Sequence, residues 1–198
     1  MKYKNIIFDV GGVLLDYDWQ GAMVKAGAKE EEVVKLGRKL LDDPVWKDFD
    51  LGIRPYEDVM NELCEKYSEN SEIIRNFLTN IENMPVPRPM VWEEVHRIKE
   101  KGYRLFILSN YCKRMFDCHA GSRPFIQDMD GIMVSYMVHI NKPDAGIYEA
   151  LLSKYDLDPA ESIFFDDKAE NTEAAKKLGI DVVTITSEEC ILNELRKL

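Results

Sequence analysis

Four polar stations interrupt apolar surroundings in this chain of 198 residues: Asp9, the pair Ser109 and Asn110, Lys142, and the adjacent carboxylates Asp166 and Asp167. Asp9 lies at the end of NIIFDV, Ser109 and Asn110 end RLFILSN, Asp166 and Asp167 end SIFFDD, and Lys142 lies in the loop HINKPD. A carboxylate at the end of a buried strand is costly unless it is paired or bound to a metal. Two adjacent carboxylates repel each other unless a cation or a donor sits beside them. Two or three carboxylates with one lysine and one serine make a site for a hard divalent cation and an anion together. Taken singly, each residue also has a structural reading: Asp9, Ser109 and Asn110 as caps, Lys142 as a solvated turn lysine, Asn171 as a helix-start residue.

Bringing these stations together is a task for the elements between them. Apolar runs of strand length recur at NIIFDV, RLFILSN, GIMVSY (131 to 136), SIFFDD and DVVTIT (181 to 186). Their near-continuous apolar character is that of strands covered on both faces. Between them lie the helical patterns PMVWEEVHRIKEKGY, DAGIYEALLSKY and NTEAAKKLGI, with Gly102 and Gly179 placed as helix terminators. Strand and helix in alternation predict an α/β fold with a parallel sheet flanked by helices. Ligands of such sheets bind beyond the carboxyl ends of the strands, where the four stations converge.

One interval departs from this rhythm. Tyr56, Val59, Met60, Leu63, Cys64 and Tyr67 share one helical face, as do Ile74, Phe77, Leu78 and Ile81, and KEEEVVKLGRKLL reads as an earlier helix. The interval contains no convincing strand and is closed by the proline cluster MPVPRP (84 to 89). The expected organisation is an α/β core over 1–15 and 87–198 with a helical insertion over 16–86.

Thirty-six acidic against 26 basic residues give a formal charge of −10, which argues against nucleic-acid and membrane partners, both of which require cationic surface. An anionic ligand would need local cationic compensation. The amino terminus reads as a first strand, not a signal peptide, and no run has the length of a membrane span. Cys64, Cys112, Cys118 and Cys190 form no C-x-x-C pair; they read as free thiols of a cytoplasmic protein.

In order, FDVGGVL, ILSN, NKPDAGIY and FFDDKAEN resemble the four motifs of haloacid-dehalogenase (HAD) superfamily hydrolases, and the resemblance covers essentially the whole chain. It implies a Rossmann-like core with an inserted α-helical cap between the first and second core strands. It also implies a Mg²⁺-dependent phosphatase acting on a small phosphorylated metabolite, in a branch resembling sugar-phosphate phosphatases with small helical caps. In that reading Asp9 is the nucleophile that becomes an aspartyl-phosphate. Asp9, the Gly11 carbonyl and Asp167 hold Mg²⁺, with Asp166 as a further ligand or a supporting partner. Ser109 and Lys142 act in catalysis by holding the phosphoryl oxygens. Gly11 and Asn110 complete the substrate-binding set, and Lys168 and Asn171 support the site from the following helix.

Gly11 departs from the pattern, because phosphatases of the superfamily usually carry there a second Asp that serves as general acid and base, a role typically worth about 10²–10⁴-fold. One consequence is a substrate with a good leaving group. Two alternatives are a non-phosphatase relative (a dehalogenase, or a phosphonatase with Lys25 or Lys47 as its Schiff-base lysine) and a weak or inactive relative that binds a phosphorylated ligand. In relatives the cap lines the leaving-group pocket, for which Asp16, Tyr17, Asp18, Trp19, Trp46, Phe49 and Arg54 are candidates, with hinges near 16–19 and 84–89.

Overall fold

In a computed structural model describing residues 2–198, the five apolar runs are five parallel strands. In chain order the strands are β1 (Asn5–Phe8), β2 (Leu15–Tyr17), β3 (Pro85–Pro87), β4 (Arg104–Ser109), β5 (Gly131–Val134), β6 (Ser162–Asp166) and β7 (Asp181–Thr184). The first helices are α1 (Trp19–Lys25), α2 (Glu30–Leu41), α3 (Pro44–Leu51), α4 (Tyr56–Lys66) and α5 (Ser71–Thr79). They are followed by α6 (Pro89–Glu100), α7 (Lys113–His119), α8 (Ser135–Val138), α9 (Ala145–Tyr155), α10 (Ala169–Lys177) and α11 (Glu188–Arg196). The main sheet has the order β5-β4-β1-β6-β7.

The register explains why the polar stations meet. Phe8 pairs with Ile107 of β4 and Phe165 of β6, so the next residue, Asp9, is level with Leu108 and Asp166 at the carboxyl edge. All four residues of β1 are buried, as expected for a central strand with both faces covered. One face, including Ile7, Phe106 and Phe164, packs on Tyr148 and Leu151 of α9 and Ala175 of α10. The other, including Phe8, Ile107 and Phe165, belongs to the core shared with α6 and α11. Gly102 and Gly179 adopt φ of 92° and 85°, a left-handed conformation suited to glycine at helix ends.

The interval between β1 and β4 is not wholly without strands: β2 and β3 pair antiparallel, with Leu15 opposite Pro87 and Tyr17 opposite Pro85. The proline cluster concealed this strand because proline cannot donate to a ladder, yet it is tolerated on a two-stranded ribbon whose edges are free. The ribbon joins the two ends of the helical segment α1–α5. Arg88, 6% exposed, secures it from the core side. Its guanidinium donates to the carbonyls of Gly12 (2.6 Å) and Val13 (3.2 Å) and pairs with Asp16 (3.1 Å). Trp92 Nε1 adds a hydrogen bond to the Leu14 carbonyl at 2.7 Å.

The segment is also tied to the far end of the sheet. Ser135 Oγ donates to the Asp50 carbonyl (2.5 Å), His139 Nδ1 bonds the Leu51 carbonyl (2.8 Å), and Asn141 reaches the Lys47 carbonyl (3.4 Å). Ser135 and His139 thereby serve the Asp50 and Leu51 carbonyls at the end of α3, which lack an i+4 partner within the helix. Replacing Arg88 by Ala would leave the Gly12 and Val13 carbonyls without their donor. We expect a loss of about 1–3 kcal/mol of stability, read as a lower urea midpoint at unchanged m-value.

Candidate active site

Asp9, 7% exposed, follows β1 and has its carboxylate fixed from three sides through Oδ1. Its donors are the Val10 amide (2.7 Å), Ser109 Oγ at the end of β4 (2.5 Å) and Lys142 Nζ (3.0 Å). Oδ2 carries no hydrogen bond among the described residues. Lys142 Nζ also reaches Asp166 Oδ2 at 2.6 Å and the Leu108 carbonyl at 2.9 Å, so one ammonium bridges the ends of three strands. Burial opposes its charge, but Asp9 and Asp166 outweigh that and raise its pKa above the ordinary lysine value. Asp9 is pushed up to about 6: burial, Asp166 and Asp167 together exceed what Lys142 and Ser109 remove.

The sequence-derived residues take distinct places around this ion pair. Asn110 is engaged with Lys142's own backbone, donating to its carbonyl (3.0 Å) and accepting from its amide (2.8 Å), which fixes the loop that delivers the ammonium. Both oxygens of Asp166 are taken, Oδ1 by the Lys168 amide (2.8 Å) and Asn171 (2.9 Å), Oδ2 by Lys142 and Asn171 (3.1 Å). Asn171 is therefore a supporting residue. Asp167, exposed, has no hydrogen bond or ion pair through its carboxylate among the described residues. Gly12 makes room for it: its φ is 69°, and a Cβ there would lie 2.8 Å from Asp167. Oxygens of Asp9, Asp166 and Asp167 all lie within 4.8 Å of one another. Three carboxylates against one ammonium leave an excess of negative charge, and oxygen donors at this spacing fit a hard divalent cation such as Mg²⁺.

Above Asp9 opens a cavity of about 370 Å³. Gly11, Tyr17, Trp19, Trp46, Ser109 and Lys142 line it. Of the other insertion candidates, Asp16 lines it while paired to Arg88, and Asp18 instead caps α1 by accepting from the Gly21 amide. Phe49 is buried, and Arg54 pairs with Asp48 and Glu62 away from the cavity. Lys25 and Lys47 are exposed and do not line it.

Asp50 and Tyr111 also face the cavity and were missed in the sequence. For Asp50 a signal existed: Asp43 followed by Pro44 is a helix start, with Asp43 Oδ1 accepting from the Val45 amide, and it places Asp50 in the last turn of α3. The Asp50 carboxyl has no hydrogen bond or ion pair among the described residues. Burial, with Asp9 nearby, pushes its pKa up to about 7 against the opposing pull of Lys168 and Lys142.

A family model described as haloacid dehalogenase-like hydrolase matches residues 6–185. The chain belongs to this family. It is 27% identical to the mouse acyl-CoA dehydrogenase family member 10 across its full length, although it spans only 19% of that protein. It is also 27% identical to the sesquiterpene phosphatase astK of Aspergillus oryzae, covering 99% of this chain and 96% of that one. With the D-ribitol-5-phosphate phosphatase of Bacteroides thetaiotaomicron it shares 23% identity, over 90% of this chain and 89% of that one. A HAD family enzyme from the same bacterium, solved with magnesium and inorganic phosphate, superposes with a TM-score of 0.72 at 22% identity, covering 92% and 93% of the two chains. The α/β fold and the HAD-like hydrolase assignment agree with the reading of the four motifs. Among the described residues no helix is long and apolar enough to cross a membrane.

The raised Asp50 carboxyl gives a stability test. Between the ordinary carboxylate value near 4 and about 7, the folded protein retains a proton that the unfolded chain releases, so Asp50 lowers stability as pH rises through that window. Without added metal, the stability advantage of Asp50→Asn over wild type should widen from pH 4 to 7 and then level off in denaturant titrations. A difference independent of pH would refute the assignment.

Proposed function

We propose that this HAD-family hydrolase is a Mg²⁺-dependent phosphatase that hydrolyses a small phosphorylated metabolite, with sugar phosphates a candidate class, through an aspartyl-phosphate on Asp9. The observation that carries the reading is the Asp9 carboxylate itself: one oxygen fixed by three donors, the other without a protein donor, in a residue that lines the cavity. In the first step Asp9 attacks phosphorus and the ester P–O bond breaks. Ser109 and Lys142, which hold Oδ1 in the free protein, donate to the phosphoryl oxygens at Asp9 and offset charge as it moves toward the leaving group. Water then attacks the aspartyl-phosphate and releases inorganic phosphate.

Asp9, Asp167 and the Gly11 carbonyl would hold Mg²⁺, which when bound supplies positive charge at the phosphoryl group. Asp166 acts by holding Lys142, and Asn110 by fixing the Lys142 backbone. Residues 16–86 serve as a cap over the 1–15 and 87–198 core, with the β2–β3 ribbon as the hinge. A cavity of about 370 Å³ suits a small ligand, and the tryptophans Trp19 and Trp46 offer faces on which a sugar can pack. The related D-ribitol-5-phosphate phosphatase and the magnesium and phosphate complex of a structural neighbour favour the same chemistry. The exposed positions of Lys25 and Lys47 speak against a Schiff-base phosphonatase, and four free cysteines accord with a cytoplasmic setting.

A panel of phosphate esters with Mg²⁺ tests the proposal. Asp9→Asn should lower turnover by about 10³-fold or more and abolish the alkali-labile phosphoryl group found on acid-quenched wild type. Undiminished activity in Asp9→Asn would remove Asp9 from the mechanism. Failure of wild type to take up phosphate from acetyl phosphate would favour a protein that only binds its ligand.

A further inference from the structure

The ring of Tyr17 stands where a side chain on residue 11 would have to go. A Cβ built on Gly11 would lie 2.7 Å from Tyr17 Cε2 and 3.3 Å from its hydroxyl oxygen. The first distance is too short for two carbons, so a carboxylate at 11 and this placement of Tyr17 exclude each other.

The ring is fixed on several sides. Its backbone is in the β2–β3 ribbon, opposite Pro85. Tyr111, two residues beyond Ser109, meets it edge-on with centroids 6.5 Å apart. His119 lies 5.9 Å away, its Nε2 bonded to the Ile81 carbonyl at 2.9 Å. Tyr17 lines the cavity, and its hydroxyl is buried without a hydrogen-bond partner among the described residues. Asp9, Asp16, Asp50 and Asp167 are the nearby charges acting on it, and none accepts from it. A buried hydroxyl left unpaired is unfavourable and uncommon, so its place at the cavity that Asp9 also lines asks for a ligand acceptor.

Building on the phosphatase reading, we infer that Tyr17 is a catalytic residue that takes the place of the side chain missing at Gly11, its hydroxyl, uncovered as substrate enters, donating a hydrogen bond to the ester oxygen that leaves as Asp9 attacks. The Asp9 oxygen–phosphorus bond forms while the phosphorus–ester oxygen bond breaks, and the electron pair departs on the ester oxygen. Tyr17 stabilises that oxygen and keeps its own proton; the oxygen takes a proton from water. The hydroxide so formed is consumed when it attacks the aspartyl-phosphate, which regenerates the Asp9 carboxylate and yields inorganic phosphate. A hydrogen bond to a developing anion matters more as that anion becomes more basic. The contribution of Tyr17 therefore grows from acyl and aryl phosphates to alkyl phosphates.

Tyr17→Phe retains the ring against Gly11 and removes only the hydroxyl. The expected result is a loss of about 10²-fold in kcat on alkyl phosphates and of no more than about threefold on acetyl or p-nitrophenyl phosphate, with the variant still phosphorylated on Asp9 by acetyl phosphate. Equal activity to wild type, or an equal loss across the leaving-group series, would overturn the role of the hydroxyl. Absence of both hydrolysis and Asp9 phosphorylation in wild type would instead overturn the phosphatase reading, and this inference with it. The steric half is tested separately: Gly11→Asp should lower both stability and activity, and adding Tyr17→Ala should recover stability. A Gly11→Asp protein as stable as wild type would show that the two side chains do not compete.

Discussion

A single ammonium holds the centre of this protein together. Lys142 Nζ lies 3.0 Å from Asp9 and 2.6 Å from Asp166, with all three side chains nearly removed from solvent. Removing one partner from such a cluster leaves a buried charge without compensation, which is far more unfavourable than losing a surface pair. The rest of the site is organised to prevent that. Asn110 grips the Lys142 backbone, the Leu108 carbonyl accepts from its ammonium, and Asn171 with the Lys168 amide occupies Asp166. The polar network is satisfied on the lysine side and deliberately short of cations on the carboxylate side, where Asp167 stands without a hydrogen bond or ion pair among the described residues.

That imbalance links the fold to its chemistry. Parallel strands place their carboxyl ends along one edge, and the pairing of Phe8 with both Ile107 and Phe165 makes the Asp9, Ser109 and Asp166 stations neighbours. Residues of the helical segment help line the cavity at this edge, and two different anchors hold the segment there. Arg88 and Trp92 hold the ribbon that joins the two ends of the segment, and Ser135, His139 and Asn141 hold carbonyls of α3. Apart from the Arg88–Asp16 pair, both anchors act on backbone, so they fix where Tyr17 and Asp50 sit without occupying the polar groups of those side chains.

The contribution of each half was unequally legible in the chain. All five strands of the main sheet were visible, because buried parallel strands are apolar without alternation. Six of the longer helices followed from their periodicity and terminators. The short helices α1, α3, α7 and α8 and the terminal α11 were not identified, nor were β2 and β3, the second because proline carries the signal of a break even on a strand. Asp9, Ser109, Lys142, Asp166 and Asp167 do meet, but their division of labour was not readable: a sequence does not show that both Asp166 oxygens are already taken or that Asn110 faces a backbone.

By itself, then, the sequence determined the order of the strands along the chain and the chemical groups at their ends, because burial demands apolar runs and charges survive only where they are compensated. The tertiary structure decided which of those groups remain available. Gly11 shows the difference most directly. In the sequence it is a missing carboxylate; in the folded protein it is the space that Tyr17 fills, since a Cβ there would stand 2.7 Å from the ring. Close packing excludes two side chains from one volume, and only the path of the ribbon reveals which one has the place.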